Sequence, residues 1–240
     1  MKQFSLILFS LFLTATISLN AQEVLNAGML KMEITEVGSE NPQVAAQLEM
    51  MKGTSTDYYF NEEKSLVSSN MMGGMIQMTV LVNNEDEHMT LLFNAMGQKM
   101  LVESTKDERA DMEADQAEAA EGMEITYDEN DTKEILGYKC IKAKLEADET
   151  SDKGMNMYMY VAPDIKASNK MVQGLQAFDL RGFPLELVIE SEQMSMTYTT
   201  TDLQKEFDTS VFDVNTSGYT KMTFEEFSQS MGAMGGGMGF

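Results

Sequence analysis

Apolar and polar residues alternate with a period of two along most of this chain, and that alternation commits it to β-sheet. In "GMLKMEITEV" the side chains Leu30, Met32 and Ile34 alternate with Lys31, Glu33 and Thr35, as a strand does when one face is buried and the other meets water. The same pattern returns in "TSTDYYF", "KSLVSSN", "MIQMTVLV", "MTLLFNA" and "QKMLVES", joined by short turns rich in Asn, Gly and Glu. Short connections between alternating strands mean a meander of antiparallel hairpins. Past an acidic stretch, "KEILGYKCIKAKLEA" reads as one extended strand, with either a bulge just after Gly137 or cover on both faces. "MNMYMYV" follows, and then the pair "GFPLELVIES" and "QMSMTYTTTDLQK".

Helical signals are few. Asn41 is placed to cap a helix that Pro42 opens, with Val44, Ala45, Leu48 and Met51 on one face and Gly53 ending it. A second helix is expected from Pro163 through Phe178, turning Ile165, Met171, Val172 and Leu175 inward. In "MTFEEF", Thr223 and Glu226 form a capping box and Met222 can staple onto Phe227. The segment from Lys106 to Glu121 has no apolar stripe and reads as a solvated linker or frayed helix.

About ten strands and two or three short helices, without βαβ alternation, predict an α+β fold. It is a single curved antiparallel sheet, a half-open barrel, with the helices on its concave face. So many strands cannot stay flat, because intrinsic twist makes them curl.

The first 21 residues carry one positive charge at Lys2, an apolar run from Phe4 to about Leu13, and a small residue at Ala21. This is the layout of a cleavable export signal, too short in its apolar part to span a bilayer. The expected organisation is a signal at 1–21, the half-barrel domain at 22–231, and a flexible Gly/Met tail at 232–240. Without a cysteine at the cleavage point for a lipid anchor, the expected location is the periplasm or the medium. A net charge of −22 repels nucleic acid and anionic membranes.

Cys140 is the sole cysteine, so no disulfide can form within the chain. His88, the only histidine, sits in the acidic turn "NNEDEHM". The expected role of Cys140 is that of a small core hydrophobe. "DENDTKE" from Asp128 begins like a calcium loop, but Lys133 and Lys139 stand where Gly and Glu are needed; it reads as a solvated turn.

Thr132, Lys133, Ile135, Gly137, Tyr138 and Cys140 form one motif. It is followed by Tyr160 and Pro163, then Gly182, Pro184, Leu185 and Glu186, then Phe212, Gly218 and Tyr219. In order and spacing these resemble a family of exported Gram-negative proteins, the domain-of-unknown-function family forty-four-twelve. That family is similar to the lipoprotein-carrier superfamily of LolA, LolB and LppX. The resemblance implies a half-open antiparallel barrel with helices in its mouth, and for several members lipid in the cavity. It implies no catalytic residues.

Methionine is the compositional outlier, 24 of 240 residues. Thioethers fill irregular cores, line adaptable apolar grooves, and bind soft metals such as Cu(I). The alternating "MNMYM" and "MSM" nominate Met155, Met157, Met159, Met194, Met196 and Tyr198 as lining residues of an apolar ligand cavity. "NMMGGM" and "MGAMGGGM" supply further thioethers on flexible backbone. The leading expectation is a non-enzymatic carrier for a lipid or similar hydrophobic ligand, with no cofactor and no metal assigned. Copper binding through methionine and a protein-interaction module are the alternatives.

Overall fold

The computed structural model describes residues 23–110, 114, 124–146, 155–167 and 179–234. The export signal, most of the acidic segment, residues 168–178 of the expected second helix, and the end of the tail lie outside the described residues.

Fourteen strands occur among the described residues: β1 (Glu23–Leu25), β2 (Gly28–Gly38), β3 (Ser55–Phe60), β4 (Lys64–Met71), β5 (Ile76–Asn83), β6 (Met89–Ala95), β7 (Gln98–Ser104), β8 (Glu124–Ile135), β9 (Tyr138–Glu146), β10 (Met155–Ala162), β11 (Ile165–Ala167), β12 (Phe183–Ser191), β13 (Ser195–Gln204) and β14 (Thr220–Met222). Twelve of them form one curved, unclosed sheet in the order β14-β7-β6-β5-β4-β3-β2-β13-β12-β10-β9-β8. Pairing is antiparallel except at the β7–β14 edge. β1 and β11 make a separate parallel pair. The join that matters is β2 with β13, which ties the N-terminal meander to the C-terminal one.

The first helix, α1 (Pro42–Glu49), forms as its sequence predicts, with the Asn41 carboxamide accepting from the Gln43 N–H. Leu48 is buried, and Val44 and Met51 pack with it against Ile34 and Met196. The C-terminal helix, Phe224–Met234, opens on the expected capping box: Thr223 N–H donates to Glu226, and Glu226 N–H to the Thr223 hydroxyl. Met222 and Phe227 share the cluster beneath it with Phe93, so the staple is made. A helical stretch at 106–110 begins on a similar reciprocal pair, Thr105 with Glu108.

Three expectations need correction. The segment 132–146 is a hairpin, not one strand. Leu136 and Gly137 both take positive φ, 51° and 82°, which makes a two-residue turn whose twist matches that of the flanking strands. "DENDTKE" is part of β8 and not a free turn. The register slips between Asp128 and Thr132, and Asp128 Oδ1 accepts from the N–H groups of Asn130 and Asp131 inside that bulge. Ile165, expected on a helix, opens β11 and is fully buried. The short strands β1, β11 and β14, and the split of 132–146, account for the excess over ten.

Candidate functional site: an apolar sheet face

Residues directly opposite one another in a sheet project to the same face, so the register defines two faces. One row runs Ile125, Leu145, Met157, Ile189, Met196, Val37 from β8 to β2. The next runs Tyr127, Ala143, Met159, Leu187, Tyr198, Ile34. Two rows without a charge cross six strands. Helix α1 lies on this face at its β2–β13 end, over Ile34, Met196, Met194 and Tyr198.

The structure thus brings five of the six nominated residues, Met157, Met159, Met194, Met196 and Tyr198, onto one face in two groups. Met157 and Met159 pack with Ala143, Leu145 and Leu187, whereas Met194, Met196 and Tyr198 pack under α1. Met155 opens β10 opposite Ser191. Leu187 and Ile189 of β12 lie between the groups, and sequence reading did not nominate them as site residues. The alternation of "PLELVIE" carries the signal for both. Met159 is fully buried, while Met157, Leu187, Ile189 and Tyr198 are half-buried.

The opposite face of the same strands is polar and internally bonded. Glu186 is only 2 % exposed, yet its carboxylate accepts from Lys133 Nζ at 2.8 and 2.7 Å and from the Thr199 hydroxyl at 2.9 Å. Beside it Asp131 accepts from Tyr160 OH at 2.8 Å and from Lys142 Nζ at 3.0 Å. The Lys142 ammonium stands 4.0 Å from the centre of the Tyr158 ring, a favourable cation–π placement. Tyr158 OH donates to Glu190 at 3.2 Å. Several of the residues that carried the family resemblance meet here: Lys133 pairs with Glu186, while Ile135, Cys140 and Leu185 share one buried cluster. Their role is to lock β8, β9 and β12 together.

Cys140 is fully buried in that cluster. Burial, with the Glu186 charge nearby, pushes its thiol up to about 11, so it is a poor nucleophile. It is expected to resist dithionitrobenzoate at neutral pH in the folded protein and to react with one equivalent in denaturant. Fast reaction of the folded protein would contradict this burial.

Tyrosines on both faces are held neutral. Burial and then Glu190 push Tyr158 up to about 12. Burial and its bond to Asp131 raise Tyr160, and burial raises Tyr58 and Tyr198. For these groups the folded state holds the proton more tightly than the unfolded one, so their stabilisation is complete below the ordinary value of 10.0 and is lost above it. The denaturation midpoint is expected to fall between pH 10 and about 12, in step with tyrosinate absorbance. Ionisation of all tyrosines near pH 10, with no loss of structure, would refute it.

Among the described residues no group of three or more His, Cys, Asp and Glu side chains is placed to hold a metal ion. No described helix is long and apolar enough to cross a membrane.

No family model matches the chain, and no curated protein matches it in sequence. Solved structures give weak likenesses across most of it. PNGF-II has a TM-score of 0.46 at 13 % identity over 85 % of this chain, which spans only 33 % of that one. The Mycobacterium tuberculosis lipoprotein LppX has a TM-score of 0.39 at 10 % identity, over 77 % of this chain and 89 % of its own. A LolA superfamily protein from Nitrosomonas europaea has 0.34 at 6 %, over 80 % and 91 %.

Proposed function

We propose that this chain is an exported, non-enzymatic protein of the cell envelope, periplasmic or secreted, that holds a lipid acyl chain or similar hydrophobic ligand on the apolar face of its sheet. Membership of family forty-four-twelve is part of the same proposal. The observation that carries it is the pair of uncharged rows across β8, β9, β10, β12, β13 and β2, with α1 over one end and Leu180 and Arg181 against the other. Each methylene withdrawn from water onto such a face contributes roughly 0.8 kcal/mol, so an acyl chain needs no polar anchor to bind there. Flexible thioethers at Met157, Met159, Met194 and Met196 adapt to chains of different shape. Tyr198, with a raised hydroxyl pKa, offers a neutral donor at the α1 end. The non-enzymatic reading is supported by an exposed His88 and a buried, protonated Cys140.

The test is native mass spectrometry of residues 22–240, exported and purified without detergent, with titration of a fluorescent fatty acid. Excess mass released by organic extraction supports the reading. Ile189→Asp, placing a charge in the middle of the row, is expected to weaken fatty-acid binding at least about tenfold, the cost of desolvating a carboxylate there. A bare mass together with no uptake of the probe would sink the proposal.

A further inference from the structure

We propose that the corner built by Met71, Met72, Met75 and Met96 is a binding site for a soft monovalent cation, Cu(I). It is separate from the apolar face between β8 and β2 and does not depend on ligand binding there.

Four methionines stand on adjacent chain segments at this corner. Met71 ends β4 directly opposite Ile76, and Ile76 lies opposite Ala95 at the end of β6. The β4–β5 connection carries Met72 and Met75, whose backbones are joined by Met75 N–H donating to Met72 O. Met96 begins the β6–β7 turn, and its N–H donates to Met75 O at 3.0 Å, which ties the two turns to each other. Met71 and Met72 are half-buried on a floor of Met78, Met100 and Phe93. Met75 is 53 % and Met96 84 % exposed. The group therefore grades from a packed floor to open solvent, as a site that admits an ion must.

Core packing does not explain the outer members. An exposed methionine gains nothing from burial, and local structure argues against it at Met96, as it does at the half-buried Met72. Met72 and Met96 hold φ of 52° and 51°, the left-handed region that favours Gly or Asn. A ligand for the sulfurs supplies what packing and backbone preference do not. Thioethers are soft, neutral donors, and among first-row metals they select Cu(I). Oxygen-seeking cations find nothing at this set. His88 is at the far end of the β5–β6 hairpin, beside Asn83, about 20 Å along the strand, so no imidazole joins the set. Because thioethers carry no proton to displace, the affinity should be flat between about pH 5 and 8, unlike that of imidazole or thiolate sites.

The experiment is anaerobic competition of residues 22–240 against a chromophoric Cu(I) chelator, with Ag(I) as a redox-inert second probe read by native mass spectrometry. One ion per chain, bound with a flat pH profile, is expected. Met75→Leu with Met96→Leu changes two exposed side chains and should not disturb folding; it is expected to weaken binding at least about tenfold, while Met159→Leu with Met196→Leu leaves it unchanged. The proposal is overturned by absence of binding, by affinity that falls steeply with acid, or by binding that survives the corner double variant. Loss of that surviving binding in Met231→Leu, Met234→Leu, Met238→Leu would place the ion in the tail.

Discussion

Alanine at Gly182 is expected to lower the melting temperature by roughly 6–12 °C, following from about 3 kcal/mol of overpacking in a domain of this size. A Cβ built at Gly182 would stand 2.3 Å from the carbonyl oxygen of Ala162, 2.6 Å from its carbonyl carbon and 2.8 Å from Pro163 Cα. All three are backbone atoms, so no side chain can swing aside. The strands themselves must separate, where Val161, Ala162 and Phe183 are buried and where the β10–β12 register already shifts. Pro184, the second residue of β12, sits at that shift, where the ladder does not need its missing N–H. Gly97 is a useful contrast: its φ is +88° and nothing lies within 4 Å of an added Cβ. Gly97→Ala should cost only the backbone term, roughly 1–2 kcal/mol. Thermal unfolding of both variants separates the two mechanisms, and a Gly182→Ala midpoint matching the parent would show that the close approach relaxes without cost.

Gly182 also illustrates what was legible beforehand. Its place in "GFPLE" put it among the residues that carry the resemblance, but the reason for a glycine there is a contact with Ala162, twenty residues upstream, that no local pattern encodes. Local signals were read well where the physics is local: the Asn41 cap, the Thr223–Glu226 box and the alternation of β2 all act within a few residues. The 132–146 hairpin was missed because a bulky Leu136 occupies a positive-φ position where Asn or Asp would have announced a turn. Burial between "GYKCI" and "APDI" and the pairing of β1 with β11 are long-range facts, and Ile165 was accordingly misplaced. Alternation in "MNMYM" and "MSM" grouped residues that share a face, but only register could show that Leu187 and Ile189 lie between them. The pairing of Lys133 with the buried Glu186 was invisible for the same reason: 53 residues separate the two, and the chain has 39 acids.

Lys133→Met is expected to destabilise the fold by about 2–3 kcal/mol, because it leaves a buried carboxylate without its counter-charge. Glu186 would keep a single donor, the Thr199 hydroxyl. The Lys133 side chain is itself 47 % exposed against 3 % for Glu186, so the penalty falls almost wholly on the acid. One consequence distinguishes this from lost packing. Adding Glu186→Gln to Lys133→Met should recover stability, since a neutral amide can remain buried beside Thr199 at much lower cost. Denaturant midpoints of the four proteins in the cycle check this. Equal loss in Lys133→Met and the double variant would mean that the ion pair contributes only as packing volume, and that β8 is held to β12 by its apolar contacts.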